Sequence, residues 1–80
     1  MTTFNLTKTW QSISTVEISI QSKGPNDVYL YEGAAEPASF EDAFCIPDMK
    51  EPRRFHAPAG GNWFAAVKSD NVTKLVVSEV

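Results

Sequence analysis

What most constrains this chain is its closing stretch, where two runs rich in aromatic and β-branched residues, Trp63-Phe64-Ala65-Ala66-Val67 and Leu75-Val76-Val77, flank Ser69-Asp70-Asn71. Short polar side chains hydrogen-bond their own backbone and tolerate positive φ, so a turn costs little there. A closing hairpin is the expectation. Its first strand enters from Gly60-Gly61 and its second runs to Val80, and together they are expected to supply the largest share of a β core. Trp63, Ala65 and Val67 are expected inward because Lys68 turns outward at the strand's end; a one-residue slip would bury Phe64 and Ala66 instead. Leu75 and Val77 form the inward pair of the last strand.

Upstream, residues 14–21 alternate most cleanly, with Val16, Ile18 and Ile20 on one side and Glu17, Ser19 and Gln21 on the other. A period of two in β-branched residues marks a half-buried strand. Lys23-Gly24-Pro25-Asn26-Asp27 ends it, and Val28-Tyr29-Leu30-Tyr31 returns as a second hairpin, Val28 and Leu30 toward the core and the tyrosines away. Residues 2–10 alternate Phe4, Leu6, Lys8 and Trp10 with Thr3, Asn5, Thr7 and Thr9, an edge strand whose lysine guards against unwanted pairing. Cys45-Ile46 and residues 53–57 add short strands, the second with Arg53, Phe55 and Ala57 on one side.

Residues 32–52 differ in kind: they carry six acids against Lys50 alone, and three of the five prolines. This is a loop-rich connection. Within it, Ser39 can cap one helical turn that sets Phe40 and Phe44 on one side, and Pro37 and Pro47 prevent a longer helix. About seven short strands separated by Gly/Pro/Asn turns, without a helical period, predict an all-β fold, a small antiparallel β-sandwich, with a compact barrel as the other closed form.

Eighty residues make one domain, 1–80. A chain this short buries only about 60–65 % of its unfolded surface, so small domains lean on disulfides, metals or partners. With Cys45 the sole cysteine, an internal disulfide is excluded and oligomerisation is expected. The net charge of −3 argues against nucleic acid, which needs a basic surface, and against an anionic membrane. No basic segment leads into a hydrophobic one after Met1, so no secretory signal is expected, and the lone cysteine fits a reducing cytosol. Asn5-Leu6-Thr7 and Asn71-Val72-Thr73 match the glycosylation triplet but carry meaning only in a secreted chain.

No catalytic constellation is expected. Cys45 and His56 are the one thiol and one imidazole, yet nothing supplies a helix N-terminus to activate the thiol or an oxyanion hole. Cys45 is expected as a small buried residue and His56 at the surface. Glu41, Asp42 and Asp48 are too few and too scattered for calcium, and one cysteine with one histidine does not hold zinc, so no cofactor is expected. Arg53, Arg54 and His56 form a basic cluster that could grip an acidic partner, such as the acidic loop of a neighbouring copy, against the plainer reading of solvated surface ion pairs. Tyr29 and Tyr31, opposite the core face, are candidate interface residues; with Trp63 they could alternatively stack on sugar rings.

The V-E-I-S-I and V-Y-L-Y strands, the acidic excursion, F-H-A-P-A-G-G-N-W-F-A-A and the closing K-L-V-V-S-E-V resemble small β-sandwich proteins of tailed-bacteriophage virions. The likeness spans most of residues 14–80 and lies in the glycine turn into the aromatic-alanine strand and in the valine-rich end. It implies a non-enzymatic structural subunit: a capsid decoration, head-fibre or tail-knob protein in the virion, made in the host cytoplasm. Such a subunit would form a homo-oligomer, a trimer by preference, and dock on capsid or tail proteins. The alternative is a carbohydrate- or receptor-binding module.

Overall fold

In a computed structural model the chain is an all-β sandwich, and the structure describes residues 1–24, 26–47 and 51–80. Pro25 of the predicted turn, and Asp48 and Lys50 of the acidic segment, lie outside the described residues. The strands are β1 (Thr2–Leu6), β2 (Gln11–Ser14), β3 (Ile18–Ser22), β4 (Val28–Gly33), β5 (Phe44–Ile46), β6 (Arg53–Phe55), β7 (Asn62–Ala66) and β8 (Thr73–Glu79), with one 3-10 turn at Phe40–Asp42. They form two antiparallel four-stranded sheets, sheet A in the order β1-β8-β3-β6 and sheet B in the order β2-β7-β4-β5. The domain is a slab of 28 × 27 × 17 Å.

Neither expected hairpin forms. β7 lies at the centre of sheet B and β8 at the centre of sheet A, and β3 and β4 are likewise divided. The Ser69 hydroxyl accepts the Asn71 N–H (3.1 Å), so the turn is where the residues put it, but the chain there crosses between layers. The physical reason is the placement of apolar side chains. Trp63, Ala65 and Val67 on one run and Leu75 and Val77 on the next are all buried. Two strands that each own one apolar side cover those sides most completely by stacking face to face, the sheets about 10 Å apart.

The alternation over residues 14–21 is not one strand either. The Ser14 hydroxyl accepts the Val16 N–H (3.2 Å) and donates to the Glu79 carboxylate (2.7 Å), bending the chain out of sheet B before it re-enters in sheet A. Val16, expected in the core, sits on this crossing and is 40 % exposed. The first strand stops at Leu6 rather than Trp10. The Thr7 hydroxyl takes the Thr9 N–H (3.2 Å), Lys8 pairs with Asp70 (2.5 Å), and Trp10 has passed to the sheet B side.

The core lies between the sheets and comprises Leu6, Ile13, Ile18, Ile20, Val28, Leu30, Ile46, Trp63, Ala65, Val67, Leu75 and Val77, with Phe4 and Phe55 half-buried against it. Ala66 is also fully buried although it points the other way, which identifies a second covered surface outside sheet B.

Candidate interaction surfaces

That second surface is built from residues 34–43. Ser39 caps the 3-10 turn by accepting the Glu41 N–H (3.2 Å), and Pro37 is buried, so the segment folds back across sheet B. Phe40 then stacks on Trp10 (ring centroids 5.0 Å) and meets Tyr29 edge-on (5.1 Å). The Lys68 ammonium lies 4.9 Å above the Tyr29 ring and 5.7 Å from that of Phe40. Ala66 is buried because Tyr29, directly opposite it in the ladder, belongs to this aromatic lid. Tyr31 is half-buried and its ring edge passes over Gly33, where any Cβ would lie 2.7 Å from it. Beside the lid a recess of about 170 Å³ is lined by Asn26, Asp27, Tyr29, Lys68 and Ser69.

Phe44 does not share a side with Phe40. It lies at the β5 edge, 60 % exposed. Cys45, expected to be buried, is exposed on β5 opposite Tyr29, with its sulfur 3.9 Å from an Asp27 oxygen. Tyr29 stands on the outer side of β4, and its cross-strand partner must share that side.

The basic residues do not form one cluster. Arg54, opposite Ser19 on the outer side of sheet A, reaches Glu17 through both Nε and Nη2. Arg54 is exposed and Glu17 partly so, and a pair this open to solvent contributes little to stability. Arg53 is exposed at the edge, opposite Ile20. His56 leaves sheet A altogether and sits at the end of the sandwich over Trp63 (centroids 5.4 Å).

There His56 is part of a clasp that sequence reasoning missed. Glu32 Oε2 lies 2.9 Å from His56 Nε2 and accepts the Ala59 N–H (3.1 Å), while the Trp63 indole N–H donates to the His56 carbonyl (2.9 Å). Gly60 and Gly61 continue at φ 81° and 99°. A Cβ on Gly60 would lie 2.8 Å from the Gly33 and Ala34 backbone, so only glycine fits this crossing. The clasp fastens residues 56–61 over Trp63, which is 1 % exposed and is therefore no stacking platform for a sugar. The signal was available only as two separate facts, the double glycine and an acid at the end of a strand.

Cys45 and His56 have different partners, Asp27 and Glu32. Among the described residues no three His, Cys, Asp or Glu side chains converge as a metal site, and no helix is long and apolar enough to cross a membrane.

The outer side of sheet A is different again. Register places Thr3 and Asn5 of β1, Lys74, Val76 and Ser78 of β8, Ser19 and Gln21 of β3, and Arg54 of β6 on one plane. A shallow depression of about 240 Å³ crosses it, lined by Met1, Ser19, Ile20, Gln21, Pro52, Val76 and Ser78. The short Thr3, Ser19 and Ser78 side chains and the longer Gln21, Lys74 and Arg54 leave a face whose apolar centre is Val76.

No family model matches the chain, and comparison with curated proteins and with solved structures finds no match. Nothing in these comparisons links the chain to phage virion proteins.

Proposed function

We propose that this domain is a non-enzymatic structural subunit that assembles with copies of itself and docks on a larger protein body. With the resemblance added, that body is a phage capsid or tail, and the subunit a decoration, head-fibre or tail-knob protein. The observation that carries the reading is the outer face of sheet A, where Thr3, Asn5, Lys74 and Arg54 are exposed around the half-buried Val76 on a slab only 17 Å thick. A broad, shallow face of polar residues around an apolar centre suits a protein partner better than a small ligand, which needs a more enclosed site. The acidic segment is less suited to gripping Arg54 and His56 of a neighbour, because both already hold acids of their own chain. Val76→Arg, which adds charge at the centre of the face without entering the core, is expected to abolish docking on isolated capsids or tails while circular dichroism stays that of the parent. Undiminished docking by this variant would count against the reading.

A carbohydrate-binding module is the second reading, favoured by the recess beside Tyr29, where an aromatic ring, an amide, a carboxylate, a hydroxyl and an ammonium converge. Saturable glycan binding that Tyr29→Ala removes would select it.

A further inference from the structure

Four strands end the sheets: β1 and β6 in sheet A, β2 and β5 in sheet B. An exposed edge is a template for further pairing unless something blunts it. β5 and β6 are only three residues long, Pro47 and Pro52 flank them, and β6 carries Arg53 and Arg54. β2 is broken by an irregularity in register between Ser12 and Ser14. β1 has none of these devices. Its five residues are without charge or proline and pair with β8 in unbroken register. Lys8, the expected guard, lies past the strand's end and is engaged by Asp70.

The direction of the β1 backbone groups follows from the neighbouring ladder. Lys23 N–H donates to the Lys74 carbonyl (2.8 Å), so Lys74 addresses β3. Antiparallel alternation then turns Thr73, Leu75 and Val77 toward β1. Their partners Leu6, Phe4 and Thr2 use their N–H and C=O groups on β8, and Thr3 and Asn5 aim theirs outward. The Asn5 carbonyl accepts a bond from the Gln11 side-chain amide (2.8 Å), in keeping with that outward direction.

We propose that β1 is a self-pairing edge, through which two copies join β1 to β1, antiparallel, about a two-fold axis at Phe4. This inference rests on the reading of the domain as a self-assembling subunit and names the contact. In that register Thr3 of one copy faces Asn5 of the other, twice, and each pair exchanges two backbone hydrogen bonds. The half-buried Phe4 ring meets its twin on the inner side, completing the cover of the core. A second copy is the fitting occupant because the segment is its own complement, as two-fold contacts require, and because it is free of charge in a chain of net charge −3 whose copies otherwise repel. With the axis normal to the sheet, both outer faces of sheet A point the same way, so pairing doubles the docking face. Gln11 acts as a latch, competing for the Asn5 carbonyl.

Sedimentation of the full chain over a dilution series, with circular dichroism in parallel, tests this. Proline at an outward-facing edge position removes an N–H that the monomer does not use, so Asn5→Pro and Thr3→Pro are expected to fold. Each should weaken dimerisation by about tenfold or more, and Gln11→Ala should strengthen it a few-fold. A dimer of unchanged affinity in both proline variants would overturn the β1 contact and leave self-assembly standing. A parent chain that stays monomeric throughout would overturn both. Should Asn5→Pro unfold, Thr3→Pro and Gln11→Ala make the same comparison.

Discussion

The two sheets treat their outer faces in opposite ways. Sheet B covers its own: Phe40, brought back by the Ser39-capped turn, closes over Tyr29, Trp10 and Ala66, and Lys68 lies across the rings. Sheet A has polar side chains around Val76, Thr3, Gln21, Lys74 and Ser78 among them, and among the described residues no such lid of aromatic rings. The difference teaches that an outward tyrosine can be partly covered by its own chain. On sheet B the aromatic surface is half covered within the molecule, and the more open face is the one whose residues looked least informative in the sequence.

That contrast can be broken or sharpened. Its strongest consequence is that Phe40→Ala should destabilise the fold by about 2 kcal/mol, since a half-buried ring loses two aromatic neighbours and part of its covered area. Urea unfolding measures it, and Trp10, newly wetted, should shift its emission to the red. A cost near zero would mean that the lid is ornamental and that both outer faces are alike. On sheet A, Val76→Thr should cost the isolated chain less than Phe40→Ala, about 0.5 kcal/mol, because Val76 is half-buried with no ring closed over it among the described residues. A loss as large as that of Phe40→Ala would show the two faces to be covered alike.

The smallest effect is expected at Lys8 and Asp70, which tie the two connections at the opposite end from the clasp. The hydrogen bond from Lys8, and then its charge, hold the Asp70 carboxyl below its ordinary value of 3.8. Because the folded value is the lower one, the stabilisation is present above pH 3.8 and is lost as pH falls through the folded value. Asp70→Asn should remove that part of the acid dependence of unfolding and leave the neutral-pH midpoint almost unmoved, because both side chains are solvent-exposed.

Much of the fold was legible. A period of two tells which side of a strand meets the core, and Ile18, Ile20, Val28, Leu30, Leu75 and Val77 lie inward accordingly. It does not tell which neighbour a strand bonds to. The turns at residues 23–27 and 69–71 therefore read as hairpins when they are crossings between layers. Val16 was misplaced for a related reason: the Ser14 hydroxyl that bends the chain looks, in sequence, like any polar residue in an alternating run. Of the surfaces, the residue types were visible and their partners were not. Glu32 and His56 lie 24 residues apart, and only the fold brings them together. Phe40 read correctly as part of a turn, but nothing in its neighbours says that the turn folds onto Trp10.

The division of consecutive strands between layers also bears on how the chain finds its structure. Among the described strands only β4 and β5 are neighbours both along the chain and in a ladder; every other ladder joins segments with at least one strand between them. Little can zip up locally, and most loop closure must be completed before contacts reward it, which raises the barrier to folding. Such a domain should be slow to form, while its rate of coming apart depends on the packing that the transition state still lacks.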